Sequence, residues 1–301
     1  MSHKKLLLSS IVILVLFSFP LISSVEASSE MWNQVYGGAG ADFAHSLVET
    51  SDGGYAVAGC TSYFGAGGAD FLLIKTDEYG TMEWNRTYGG IGGDFAYSLV
   101  ETSDGGFALA GEQNNNFWLV KTDEYGNTEW NQTYGEAKYN HAYSVVEPAD
   151  GGFVLASTNF QLIKTDAHGT VEWNWTYGRE DYDTVYSLVE TSDGGFALAG
   201  ETCSVDDGNG FWLVKTNASG NVEWNQTYRR TEYDRPYSLI QTADGGYALA
   251  GETINLASTY VWVVKTNENG IIPEFPSWII LPLFLTATLI VTLARKRLMR
   301  N

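Results

Sequence analysis

Residues 97–134 read Tyr97-Ser-Leu-Val-Glu-Thr-Ser-Asp-Gly-Gly-Phe-Ala-Leu-Ala-Gly-Glu-Gln-Asn-Asn-Asn-Phe-Trp-Leu-Val-Lys-Thr-Asp-Glu-Tyr-Gly-Asn-Thr-Glu-Trp-Asn-Gln-Thr-Tyr134. Four strand-like runs lie in this stretch: Tyr97–Thr102, Phe107–Gly111, Phe117–Thr122 and Glu129–Tyr134. The turns between them, Ser103-Asp-Gly-Gly106 and Asp123-Glu-Tyr-Gly126, carry the Gly and Asp residues that supply positive φ and local side-chain caps. Phe117-Trp-Leu-Val120 is apolar on both faces, as a strand covered on both sides must be. Ala108, Ala110 and Gly111 are small enough for sheets to approach closely. Four antiparallel strands in about 46 residues is the size of one propeller blade.

The unit recurs. Asp-Gly-Gly begins at Asp52, Asp104, Asp150, Asp193 and Asp244, with spacings of 52, 46, 43 and 51. Trp-Asn begins at Trp32, Trp84, Trp130, Trp173 and Trp224 with the same spacings. An orphan fourth strand, Met31–Tyr36, precedes the first unit, and no fourth strand follows the last third strand, Tyr260–Lys265. The pattern predicts an all-β, five-bladed β-propeller of four-stranded blades, closed by the N-terminal strand. A solenoid would need polar capping repeats, and none is visible. The segment Phe211–Trp224, a strand ending in an Asn-containing turn with Gly and then a Trp on the next strand, resembles the repeats of quinoprotein-type (PQQ-like) propellers. The resemblance implies blade packing; the adjacent cysteines of the quinoprotein dehydrogenases are lacking, since Cys60 and Cys203 are 143 positions apart.

The ends read as addresses. Lys4-Lys5, the apolar run Leu6–Ile22 and the small residues Val25 and Ala27 predict a signal peptide over 1–27, a retained N-terminal anchor being the alternative. The repeats occupy 28–270. A Pro-rich linker, 271–276, precedes an apolar stretch, 277–294, which is about 27 Å long as a helix and predicts a transmembrane span. The basic tail 295–301 holds the C-terminus in the cytoplasm. Pro273-Glu274-Phe275, the helix and the basic tail together resemble the C-terminal sorting signals of archaeal surface proteins. That resemblance implies a sorting transpeptidase as partner; a plain membrane anchor is the alternative. Either places 28–270 outside the cell.

The chain has 17 basic and 36 acidic residues in 301, a formal charge of −19. Residues 28–270 hold 11 basic and 34 acidic residues, a net −23, which excludes nucleic acid, whose binding depends on Lys and Arg neutralising phosphate. Glu49, Glu101, Glu147 and Glu190, with Gln241 in the fifth slot, are candidate Ca²⁺ ligands, since clustered carboxylates suit a hard cation. The competing expectation is that the Asp residues cap turns and that the Glu residues are solvated or paired with Lys75, Lys121, Lys164, Lys215 and Lys265, leaving no firm metal site. His3, His45, His141 and His168 share no metal-ligand spacing, and no disulfide or cofactor is expected. Asn85, Asn131, Asn174, Asn217 and Asn225 head glycosylation sequons. Departures from the repeat are Glu136, Lys138, 179–183, Asp206-Asp207 and 229–235, polar and varied loops that fit a binding surface. The reading is therefore a non-catalytic cell-surface glycoprotein that binds a glycan, a protein or a neighbouring cell. A structural envelope component and an extracellular carbohydrate hydrolase, which would need two carboxylates in one pocket, are the alternatives.

Overall fold

Five antiparallel sheets follow one another along the chain in the computed structural model, which describes residues 31–135, 141–178, 183–204, 208–255 and 258–272. The first contains β1 (Asp42–Glu49), β2 (Tyr55–Thr61), β3 (Asp70–Thr76) and β4 (Met82–Tyr88). The second contains β5 (Asp94–Glu101), β6 (Phe107–Gln113), β7 (Asn116–Thr122) and β8 (Thr128–Tyr134). The third contains β9 (Ala142–Val146), β10 (Phe153–Ser157), β11 (Gln161–Thr165) and β12 (Val171–Thr176). The fourth contains β13 (Thr184–Glu190), β14 (Phe196–Ser204), β15 (Gly208–Thr216) and β16 (Val222–Tyr228). The fifth has three strands, β17 (Tyr233–Gln241), β18 (Tyr247–Asn255) and β19 (Ser258–Thr266). Each sheet runs in chain order, and no helix occurs among the described residues. The chain divides at Trp32; all five sheets belong to the unit that starts at Asn33.

The two glycines of each Asp-Gly-Gly turn serve different ends. Gly105 has φ +85°, a conformation costly for any side chain. A Cβ on Gly106 would run into the Thr122 carbonyl and the Lys121 ammonium. Gly111 sits opposite the bulge between Ala96 and Ser98, where the Phe95 carbonyl leaves no room for a Cβ.

Sheets stack face on face through contacts that repeat at each junction. First strands neighbour first strands, with the Leu99 amide donating to Ser46 Oγ at 3.1 Å, Val145 to Ser98 at 3.1 Å, Leu188 to Ser144 at 3.2 Å and Leu239 to Ser187 at 3.1 Å. Outer tyrosines reach the next sheet's turn: Tyr88 Oη donates to the Gly126 carbonyl at 2.7 Å, Tyr134 to Gly169, Tyr177 to Gly220 and Tyr228 to Gly270. Tryptophans of fourth strands meet aromatic residues of the next second strand, as in Trp84–Phe107 and Trp224–Tyr247. Buried apolar side chains gather in four clusters, one between each pair of successive sheets.

Among the described residues five sheets share four cores, and the expected closure by the N-terminal strand is not seen. Residues 31–36 form no strand, and β19 has no outer partner among the described residues. Tyr36 instead donates to the Gly80 carbonyl at 2.5 Å, the contact that a preceding blade's fourth-strand tyrosine makes at every other junction. Tyr36 thus takes the place that the outer tyrosine of a preceding blade takes at the other junctions. Counting strands in the sequence reveals which strand is spare but not the angle between blades, and that angle decides whether the ends meet. Leu47, in the slot of Leu99, Val145, Leu188 and Leu239, is 63% exposed, whereas those four are 5% or less.

Leu99→Ala should therefore cost about 2–5 kcal/mol, and Leu47→Ala no more than about 0.5 kcal/mol. Urea denaturation at low protein concentration checks this; equal losses would mean that the first sheet is covered in the same way as the second.

Candidate functional site

The array has two unlike ends. At one lie the turns from first to second and from third to fourth strands, all built alike. At the other lie the second-to-third and fourth-to-first loops, which vary in length and composition from blade to blade.

At the uniform end a lysine organises every blade. Lys121 Nζ, almost fully buried, donates to Asp104 at 2.8 Å, to Glu129 at 2.9 Å and to its neighbour's carbonyl, Thr122 O, at 2.9 Å. Lys75, Lys164 and Lys215 repeat the arrangement with Asp52 and Glu83, Asp150 and Glu172, and Asp193 and Glu223. The lysine partners are thus the turn aspartate and a fourth-strand glutamate, and not the first-strand glutamates considered from the sequence. Lys265 keeps Asp244 but, with no fourth strand beside it among the described residues, its side chain is 44% exposed against 7% or less in the other four. Hydrogen bonds from Lys75, Thr50 and the Gly54 amide hold Asp52 down at about 2. At Asp104 burial pushes the carboxyl up, but Lys121, Thr102 and Gly106 outweigh it and leave it at about 2.

Of the candidate metal ligands, Glu101 and Glu147 are engaged with a preceding sheet. Glu101 accepts from the amide and hydroxyl of Ser51 on the preceding sheet at 2.8 and 2.9 Å, Glu147 does the same for Ser103, and Gln241 accepts from the Ser192 amide. Glu49 and Glu190 are exposed. No group of three or more His, Cys, Asp or Glu suited to a metal ion occurs among the described residues.

The varied end joins one repeat slot, held by His45 in the first unit and by tyrosine in the other four, to groups that sequence reasoning did not link to it. His45, Tyr97, Tyr143, Tyr186 and Tyr237 form a row of rings along the first strands, with successive centroids 5.3–5.5 Å apart. Second-strand glutamates back the row: Tyr97 Oη donates to Glu112 at 3.3 Å, Tyr186 to Glu201 at 2.8 Å and Tyr237 to Glu252 at 2.6 Å. Glu112 and Glu201, both buried, are paired across junctions, Glu112 with His141 Nδ1 and Glu201 with Arg235 Nε at 2.8 Å. Asn209 also donates to Glu201 at 3.1 Å. Burial first, then the nearby Glu112 and Glu201, raise the hydroxyl of Tyr143; burial and Glu201 do so for Tyr186, and burial and Glu112 for Tyr97. These hydroxyls stay protonated at neutral pH and act as hydrogen-bond donors. The sequence signal was slight: a Glu at one second-strand slot, and unlike residues (Phe43, Phe95, His141, Thr184, Arg235) at one first-strand slot.

Buried aspartates hold the loops at this end. Asp94 accepts from the Gly90 and Asn114 amides, and its burial raises its pKa; Asp234 accepts from Arg230, Thr231 and the Thr231 hydroxyl. Asn114 and Asn115, both at positive φ, make the tight hairpin between β6 and β7. An apolar cleft of about 350 Å³ lies between Thr231–Tyr233 and Ile254–Asn255.

Among the loops singled out from the sequence, Asp183 and Arg229–Arg235 are described; Glu136, Lys138, 179–182 and Asp206-Asp207 lie outside the described residues. So do the signal 1–27, Pro273-Glu274-Phe275 and the stretch 277–294; no helix of the described residues is long and apolar enough to cross a membrane. Of the sequons, Asn85, Asn131, Asn174 and Asn225 are exposed on outer strands, while Asn217 caps a turn by accepting from the Ser219 and Asn221 amides. His168 lies in a turn, where its amide donates to Asp166. Cys60 is buried, which raises its thiol pKa, and Cys203 is half-buried.

No family model matches the chain, and comparison with curated proteins gives no match. Among solved structures it is similar to a protein of unknown function from Bacteroides caccae, with a TM-score of 0.55, 11% identity, and 77% of this chain and 80% of that one covered. Sqt1 from Chaetomium thermophilum gives a TM-score of 0.47 at 11% identity, over 78% of this chain and 72% of that one. The first likeness bears on the fold alone.

Two predictions follow from the lysine cluster. Lys121→Ala leaves the buried Thr122 carbonyl without its donor and should cost about 1–3 kcal/mol; Lys265→Ala, at a half-exposed site, should cost less than half as much in the same urea melts. Asp52, Asp104 and Asp193 are held near 2 in the fold against an ordinary 3.8. Their contribution is complete above about pH 4 and is lost as pH falls towards 2. Tm should drop across that window, and Asp104→Asn should flatten the drop.

Proposed function

We propose that this protein is a non-catalytic, cell-surface blade-repeat protein that binds a polyhydroxylated ligand, a glycan, at the varied end of the array. The observation that carries this reading is the segregation of repeat and variation. At the uniform end the recurring lysine, aspartate and glutamate hold the strands of each blade together, and Glu101 and Glu147 clasp the preceding blade, while the unlike residues collect at the other end around a row of aromatic rings. In repeat proteins variation confined to one face marks the binding face. Tyrosine rings offer apolar area and a hydroxyl at little entropic cost, and the glutamates behind them accept from sugar hydroxyls or orient the tyrosines. Glu201 is held by hydrogen bonds from Arg235, Asn209 and Tyr186, an arrangement for hydrogen bonding; a hydrolase needs one carboxyl kept protonated as acid and another ionised as base or nucleophile in the same pocket.

The surface location rests on the signal at 1–27, the apolar stretch 277–294 and the sequons. Tyr36, by its bond to the Gly80 carbonyl, stands where the outer tyrosine of a preceding blade stands at the other junctions, which fits a sheet that lacks its fourth strand, as the fifth does among the described residues. The alternative of a structural envelope component is favoured by one observation, the uncovered faces of the first and fifth sheets.

Affinity electrophoresis of the full-length protein through gels holding uncharged soluble polysaccharides tests the proposal. Retardation by at least one polysaccharide, weakened about tenfold or more by Tyr143→Ala or Glu201→Gln, is the expected result. No retardation by any, or cleavage of the polysaccharide, would overturn it.

A further inference from the structure

The two ends of the array are complementary halves of a junction already made four times within the chain. The first sheet presents Leu47, whose amide would meet a preceding Ser Oγ, and Glu49, whose counterparts Glu101 and Glu147 clasp a preceding turn. The fifth sheet presents Ser238, the slot of the four serines that accept these amides, exposed on β17. Beside it, Val261 and Val263 are 85% and 63% exposed, whereas Phe71, Phe117 and Phe211 in the first slot and Leu73, Leu119 and Leu213 in the second are wholly buried by a following sheet. Ile240 continues the apolar strip. Tyr36 already supplies the outer tyrosine contact of the missing junction.

We propose that a second copy of this chain fills this place: the fifth sheet of one copy docks on the first sheet of the next, head to tail, with the N-terminal segment of the latter lying along β19 of the former as its fourth strand. Strand addition of this kind satisfies the unpaired edge of β19 and covers both apolar faces at once. A second copy is favoured over closure within one chain because Leu47, Val261 and Val263 stay exposed while all four junctions are formed: bringing the ends of one chain together means altering those junctions, whereas a second copy docks with all four intact. Because the contact joins two different faces, the assembly is heterologous and grows beyond a dimer unless the rotation closes a ring. Each copy carries −19, so added salt, by screening that repulsion, should strengthen the association. The proposal does not depend on glycan binding.

The test uses the full-length protein in mild detergent. Sedimentation should show concentration-dependent association that salt promotes. Val263→Glu, at a site exposed in the single chain, should leave the melting temperature of the dilute monomer unchanged and weaken association about thirtyfold or more without altering polysaccharide retardation. Mixing differently tagged Leu47→Cys and Ser238→Cys chains under oxidation should give a disulfide-linked product carrying both tags. A chain that stays monomeric, a link formed only within a Leu47→Cys/Ser238→Cys double variant, or association that survives Val263→Glu (as pairing through the apolar stretch 277–294 would) overturns the proposal.

Discussion

A small sheet with apolar side chains on both faces cannot stand in water by itself; it needs a cover on each side. This constraint governs the molecule. Phe117 and Leu119 of the second sheet are buried because the third covers them, and Leu99 because the first does. Each junction joins this burial to directional bonds, the Ser–amide link at the inner strands and the Tyr–Gly link at the outer ones. Burial drives the sheets together, and the bonds set how they sit. An array governed by such pairs has one more sheet than it has cores, and its stability falls off at the ends, as nearest-neighbour models of repeat proteins require.

Much of this was legible in the residues. Asp-Gly-Gly marks every sheet and the strands end at the turns it predicts, although the first strands begin earlier than the apolar runs do, as β5 does at Asp94, and Met31–Tyr36 forms no strand. The lysine partners were not legible, because Lys121 meets Asp104 and Glu129 through a register between strands 17 and 8 positions away, while the sequence pattern offers several carboxylates at similar distances. Ring closure was not legible for a related reason. A repeat pattern specifies which surfaces recur and leaves the rotation between successive copies free, yet that rotation is what distinguishes a closed ring from an open array. The paired sites Glu112–His141 and Glu201–Arg235 were hidden because each joins slots on different blades that hold different residues elsewhere.

The division between a uniform and a varied end has an energetic basis. The turns at the uniform end hold the lysine, whose ammonium is nearly dry and is tolerated there because carboxylates and a carbonyl surround it. A buried charge of this kind is expensive if any partner is lost, so the residues around it have little freedom to differ between blades. Loops at the other end hang from single buried aspartates such as Asp94 and Asp234, which accept from backbone amides and so place few demands on side-chain identity. Sequence can change in those loops without disturbing the fold, which is where recognition is most easily built.

Strong acidity and uncovered apolar faces in one chain act against each other. A net −23 over residues 28–270 disfavours close approach of like copies at low ionic strength, and it disfavours random collapse of Val261, Val263 and Leu47 onto unrelated surfaces as well. A contact that forms only when serine, amide and tyrosine partners all fall into register recovers enough burial to overcome that repulsion, and a mismatched contact does not. The charge therefore acts as a filter on association: it raises the threshold that any partner of the terminal sheets must meet, and the repeat supplies a surface, in the other end of the same chain, already shaped to meet it.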